Sequence, residues 1–190
     1  MSIKDKKLLY HITDIKNLYE ILAQGLLPRS QLANFVDVAD PDILESRKKL
    51  KLEDYVPFHF FARNPFDGRV QVDHPDIEFI LITISREFAE NNGWKIIPCH
   101  PLANKNIELL NYEEGIKAIN WDKMNERDYT DIESKSVGMA ECLSPEIVQT
   151  QYFYNIYVRN VESQKVISEL LKQFKLTIHV NINEKMFIGK

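Results

Sequence analysis

Ile77-Glu78-Phe79-Ile80-Leu81-Ile82-Thr83-Ile84-Ser85 is the clearest strand in the chain, a run of β-branched and aromatic side chains of strand length. Arg86 to Asn92 follows as a short helix stopped by Gly93, and Trp94 to Cys99 resumes as a strand. Upstream, Val56 to Ala62 reads as an aromatic-rich strand with Pro57 near its start and Arg63 just past its end. A helix opened by Asp40 or Asp42 precedes it and runs through Arg47 and Lys51. At the start, Leu8 to Ile12 is a strand. Asp14 then caps a helix from Ile15 to about Gln24, with Leu18, Ile21 and Leu22 on one stripe and Gly25 at its end. From Pro101 to Val137 the pattern weakens into helical turns and a polar run, Asn125 to Asp131, of loop composition. A strand around Glu141, another at Tyr152 to Val158, a helix near Glu162 to Phe174 and a last strand at Leu176 to Ile182 complete an α+β pattern of mainly antiparallel character.

The 190 residues suffice for one well-buried core, read as one domain, and 44% apolar against 27% charged residues is ordinary for a globular chain. No stretch approaches the roughly 18 apolar residues of a membrane span, and Met-Ser-Ile-Lys-Asp-Lys-Lys lacks a signal-peptide core, so a cytoplasmic protein is expected; a monomer is the expected oligomeric state. Cys99 and Cys142 stand in apolar contexts with neither disulfide-framework nor zinc spacing, and the histidines are scattered, so no metal is expected. A net charge of −4 argues against unspecific coating of nucleic acid but leaves room for a local basic patch, such as Arg47-Lys48-Lys49-Leu50-Lys51. A solvated helix face is the usual explanation of such a run.

One charge is out of place. Glu141 sits in Gly138-Met139-Ala140-Glu141-Cys142-Leu143, where strand alternation puts Met139, Glu141 and Leu143 on one face and Ala140 and Cys142 on the other. A carboxylate among apolar neighbours is costly unless something requires it. The alternative is a strand-end glutamate turned to solvent or paired with an arginine. His11 and Thr13 share a face of the first strand, opposite Tyr10 and Ile12, and together suit an amide or a ribose, although a strand-end histidine satisfied by backbone is the commoner case. In Tyr55 to Phe66, aromatic side chains run into Arg63 and Asn64 at a strand end, a stacking surface beside a fixed cation that core packing does not explain.

Tyr10-His11-Ile12-Thr13, then Asn17-Leu18 and Ile21-Leu22 with Gly25-Leu26, Val56-Pro57-Phe58-His59-Phe60 with Arg63-Asn64-Pro65, Met139-Ala140-Glu141 and Ile156-Tyr157-Val158 resemble, in order, the DarT family. Its members are toxins of toxin–antitoxin pairs that transfer ADP-ribose from NAD onto bases of single-stranded DNA. The resemblance implies an ADP-ribosyltransferase-like fold with a split, mainly antiparallel sheet and flanking helices. It implies Glu141 as the catalytic glutamate and Arg47 as the catalytic arginine, although adjacent arginines in many members stand here as Arg47-Lys48. His11 and Thr13 would hold the nicotinamide-ribose end of NAD, with Asn17, Gly25, Leu26 and Arg63 also on the cofactor side. Lys48, Lys49, Lys51 and His59 are candidates for contact with nucleic acid, and the segment from about Asn125 to Ser136 for substrate selection. Pro65-Phe66-Asp67-Gly68 replaces the methionine-containing segment of many thymine-modifying relatives, which leans toward guanine as acceptor. An antitoxin that removes ADP-ribose, macrodomain-like or related, is the implied partner. Transfer to RNA or protein on the same scaffold, or a non-catalytic module that binds NAD or nucleic acid, are the alternative functions.

The chemistry stands apart from the name. Loss of nicotinamide from NAD leaves an oxocarbenium-like ribose, and a carboxylate close to it stabilises the transition state more than the ground state. A base nitrogen attacks poorly while protonated, so Glu141 with a nearby cation, Arg47 or Arg63, would assist proton removal. Only an unstacked base is reachable, and single strands offer one at little cost.

Overall fold

The computed structural model describes residues 2–32, 51–100 and 108–189. The helix expected through Arg47, and with it Lys48 and Lys49, lies outside them.

Eight strands among the described residues form one sheet: β1 (Leu8–Asp14), β2 (Val56–His59), β3 (Phe79–Ser85), β4 (Lys95–Ile97), β5 (Leu110–Asn111), β6 (Glu141–Ser144), β7 (Asn155–Val158) and β8 (His179–Ile182). Their order is β5-β4-β6-β2-β1-β3-β7-β8, and every pairing is antiparallel except that of β7 with β8. β3 is central and buried along its length, with only Ser85 half-exposed, which is why its apolar run is continuous. It pairs with β1 over seven residues, Leu8 to Asp14 against Ser85 to Phe79.

The sheet is nearly divided. β1 and β2 share one register pair, Tyr10 with His59, whereas β2 pairs with β6 over all four of its residues. The two halves therefore part beyond Tyr10, leaving a seam between β1 and β2, and this is the split core that the family resemblance implies.

Local chemistry explains the flanking helices. Asp14 accepts from the Lys16 amide to start a 3-10 turn that leads into α1 (Leu18–Gln24), whose buried residues are Leu18, Ile21 and Leu22. Gly25 ends it at φ 87° because an added Cβ would lie 2.8 Å from Ile147 and 2.9 Å from the Val148 carbonyl. Asn64 caps α2 (Pro65–Asp73) by accepting from the Asp67 amide, with Pro65 at the first position. Ser85 caps α3 (Arg86–Asn91), and three short helices, α4 (Tyr112–Ala118), α5 (Trp121–Glu126) and α6 (Ile132–Val137), follow before β6. α7 (Val161–Gln173) is capped by Asn160 and buries Ile167 and Leu171.

The main core lies on one face, where Leu9, Phe58, Ile82, Ile96 and Cys142 meet Leu18, Leu22 and Ile167 from the helices. The opposite face is covered in two parts, by Val70 and Phe187 over Tyr10, Ile12 and Leu81, and by Leu52 over Ile97 and Leu143. Arg86 is buried within this frame, where its guanidinium donates to the carbonyls of Lys4, Leu8 and Phe60 at 3.0, 3.3 and 2.9 Å and lies over the Phe60 ring. That arginine ties the N-terminal turn, β1 and the end of β2 together. No helix among the described residues is long and apolar enough to cross a membrane.

Candidate active site

Glu141 opens β6 directly opposite His59, and Ile97 of β4 flanks it on the other side. With Tyr10 opposite His59, one row crosses the seam: Tyr10, His59, Glu141, Ile97. Glu141 is only 7% exposed, so the strand-end glutamate turned to solvent is excluded. It is a partnered, buried carboxylate, and burial of that kind requires compensating interactions.

His59 is buried too. Its Nδ1 donates to the Ala140 carbonyl at 3.2 Å and its ring packs against Phe66 at 5.4 Å, so the imidazole expected to contact nucleic acid is buried and engaged within the fold. Pro65 packs on the turn before Glu141, where a Cβ on Gly138 would lie 3.1 Å from its ring. The start of α2 and the approach to Glu141 therefore form one wall.

His11 faces the seam from the other strand. Pairing puts it on the face of Phe58 rather than that of Glu141, and where the strands part its Nδ1 donates to the Pro57 carbonyl at 2.8 Å. That bond leaves Nε2 as an acceptor. Burial lowers its pKa to about 4, against the opposing effect of the Pro57 bond and with a further lowering from nearby His59, so the ring is neutral at pH 7. His11 and Glu141 thus approach the seam from opposite faces, and His59, paired with Glu141, acts electrostatically on His11. Thr13 is buried, and its hydroxyl accepts from the Asn17 amide at 3.1 Å, which joins two expected cofactor residues in one small polar group.

The other candidates are more dispersed. Leu26 is buried, and its amide and carbonyl pair with Val148 at 2.9 and 3.0 Å, so both of its backbone polar groups are engaged. Lys51 is exposed at φ 54° before the turn into β2, and Arg63 is exposed at φ 59°. Arg47, Lys48 and Lys49 lie outside the described residues. Among the described residues no group of His, Cys, Asp and Glu could hold a metal ion. Cys142 is buried, with its thiol pushed up by burial.

Asp67 is a residue whose environment the sequence reading did not anticipate. It is 1% exposed, neither oxygen has a hydrogen-bonding donor among the described residues, and burial raises its carboxyl to about 7 despite the opposing effect of the nearby Asn64 side chain and Arg63 backbone. The Asn64-x-x-Asp67 spacing at a helix start was the available signal.

Residues 10–188 match the family model described as ssDNA thymidine ADP-ribosyltransferase, DarT. The chain belongs to the DarT family. Membership carries the activity class, NAD-dependent ADP-ribosylation of single-stranded DNA. A DNA ADP-ribosyl transferase of Thermus aquaticus is 26% identical over 183 residues, 88% of this chain and 82% of its own length. Thermus sp. 2.9 DarT in complex with ADP-ribosylated ssDNA shares the fold at a TM-score of 0.81 and 20% identity over 96% of each chain. The same protein in complex with NAD+ gives 0.77 at 18% identity, covering 97% of this chain and 98% of that one. Thermosipho africanus DarTG in complex with ADP-ribose is 25% identical at a TM-score of 0.75, covering 96% of this chain and 51% of that chain.

Proposed function

We propose that this DarT-family chain binds NAD across the seam between β1 and β2 and transfers ADP-ribose to a base in single-stranded DNA, with Glu141 as its catalytic carboxylate. The observation that carries this reading is the burial of Glu141 in the row it shares with His59 and Tyr10 at the seam. The residues there suit the nicotinamide-ribose end of NAD. Neutral His11 can accept from a ribose hydroxyl through Nε2, and Thr13 with Asn17 offers a hydroxyl and an amide nearby. Gly25 and Leu26 shape the turn after α1 against Ile147 and Val148.

Glu141 stabilises the positive charge that grows on the ribose as its bond to nicotinamide breaks and a bond from C1′ to the base nitrogen forms. The same carboxylate supports departure of the proton from that nitrogen. Arg47 is the sequence's candidate for the accompanying cation, and the Lys48, Lys49 and Lys51 run for phosphates of the strand. NAD-bound and DNA-bound relatives support both halves of the reading.

The acceptor base lies between two chemistries. The family description names thymidine. Phe66, in place of the methionine found in many thymine-modifying relatives, supports guanine. Oligonucleotides carrying a single candidate base, incubated with NAD and analysed by mass spectrometry, decide between them. Labelling of RNA or protein, with none on DNA, would overturn the proposal. As a toxin acting in the cytoplasm, the chain should halt growth when expressed without an enzyme that removes ADP-ribose, and Glu141→Ala should be tolerated.

A further inference from the structure

α2 carries one side of the wall beside Glu141, yet apolar packing does not explain how it is held. Of its nine residues Asp67, Val70 and Gln71 are buried, and Val70 is the one apolar side chain among them. A helix of this length is normally fixed by the apolar face it packs. Here polar bonds take that part at both ends. Asn64, fully buried, accepts from the Asp67 amide at 2.9 Å and donates to the Phe61 carbonyl at 3.0 Å. Further along, Gln71 is buried and uses both halves of its amide. Its Nε2 donates to the Asp67 carbonyl at 3.0 Å, and its Oε1 accepts from the Ile188 amide at 3.1 Å.

Ile188 belongs to a strap that follows β8. The Asn183 amide donates to the Val158 carbonyl at 2.9 Å, a 3-10 turn (Glu184–Met186) follows, and Phe187 enters the apolar cluster of Tyr10, Val70 and Leu81. Arg159, just past β7, donates to the Ile188 carbonyl and lies over the Phe187 ring, 5.5 Å from its centre. Ile188 is thus gripped at its carbonyl by Arg159 and at its amide by Gln71, and it lies on α2, where a Cβ on Gly68 would be 3.5 Å from its Cδ1. Burial of Phe187 alone would anchor this strap. The chain of bonds from Arg159 through Ile188 and Gln71 to Asp67 does more, because it fastens the strap to the first turn of α2. That turn begins with Pro65, which packs on the Gly138 turn, and Phe66, whose ring is 5.4 Å from that of His59, the residue paired with Glu141.

We propose that Gln71 is a positioning residue for the transfer reaction: through it the strap after β8 sets the start of α2 against His59 and the approach to Glu141. This deepens the function proposed above and rests on it. Gln71 acts through Pro65 and Phe66, whose placement decides where the carboxylate meets the reacting sugar carbon. A misplacement of about 1 Å caused far from the chemistry can cost roughly 10²-fold in rate. Loosening the relay therefore lowers kcat and leaves the binding of NAD in place.

The test is steady-state nicotinamide release from NAD by the full chain with saturating single-stranded DNA, with folding checked by the urea midpoint. Gln71→Met keeps the volume and loses both bonds, and Arg159→Met releases the Ile188 carbonyl. Each is expected to lower kcat roughly tenfold while KM for NAD changes by less than about twofold. The double variant should be no slower than the slower single one, because both changes cut one relay. Unchanged kcat in the folded single variants would overturn the proposal and leave the strap with packing alone. So would losses that multiply in the double variant, or a raised KM for NAD with kcat intact. Should Gln71→Met fail to fold, kcat and KM of Arg159→Met, altered outside α2, decide by the same criteria. An unchanged protein that releases no nicotinamide with any single-stranded DNA would instead remove the functional reading beneath it.

Discussion

Replacing Asp67 with Asn should make the protein more stable, and the gain should grow with pH. Asp67 is 1% exposed and, among the described residues, neither carboxylate oxygen has a hydrogen-bonding donor. Its carboxyl titrates near 7 in the fold, against 3.8 for the ordinary value, because burial disfavours the charge. A folded pKa raised above the unfolded one means that the stability this group contributes is fully present below about pH 4 and is lost as pH rises through about 7. A shift of about three units at 1.36 kcal/mol each bounds the loss at roughly 4 kcal/mol, and local relaxation reduces it to about 2. Asn keeps the shape and carries no charge. Urea unfolding of both proteins from pH 4 to 8 should show near-equal stability at the acid end and an advantage of about 2 kcal/mol or more for Asp67→Asn at pH 8. A difference that stays constant across the range would refute the reasoning, since Asp67 would then not be titrating inside the fold.

His11 produces the opposite slope over an overlapping window. Its folded pKa is lowered from 6.5 to about 4, so the stability it contributes is present above 6.5 and lost as pH falls toward 4. His11→Gln should remove that loss, and the same urea series in the Asp67→Asn background should reveal it as stability that rises with pH. Gly25→Ala should cost about 1–3 kcal/mol, read as a lowered urea midpoint, because φ is 87° and the new Cβ meets Ile147 and Val148 at under 3 Å.

The sequence disclosed the strands more readily than their connections. β3 was legible as a run because both of its faces are covered, and β1 because its alternation sets Tyr10 and Ile12 against His11 and Thr13. β2 is shorter than its aromatic run suggests, since Phe60 and Phe61 leave the ladder to pack in the core and Arg86 takes the Phe60 carbonyl. α2 was not recognised, because Val70 is its only buried apolar residue and there is no stripe at helical spacing to find, although the Asn64-Pro65 start was present. The helices between Tyr112 and Val137 have six or seven residues each, too few for periodicity to register. At the site, Glu141 was conspicuous as a charge in an apolar strand. The seam was not legible, because it depends on how many residues of β1 and β2 pair, which neither strand encodes alone.

The most direct test of the account is nicotinamide release from NAD by Glu141→Gln in the presence of single-stranded DNA, with the fold confirmed by an unchanged urea midpoint. The account predicts a rate at least about a hundredfold below that of the unchanged protein, with no ADP-ribose on the oligonucleotide. Release at an undiminished rate from that folded variant would contradict it.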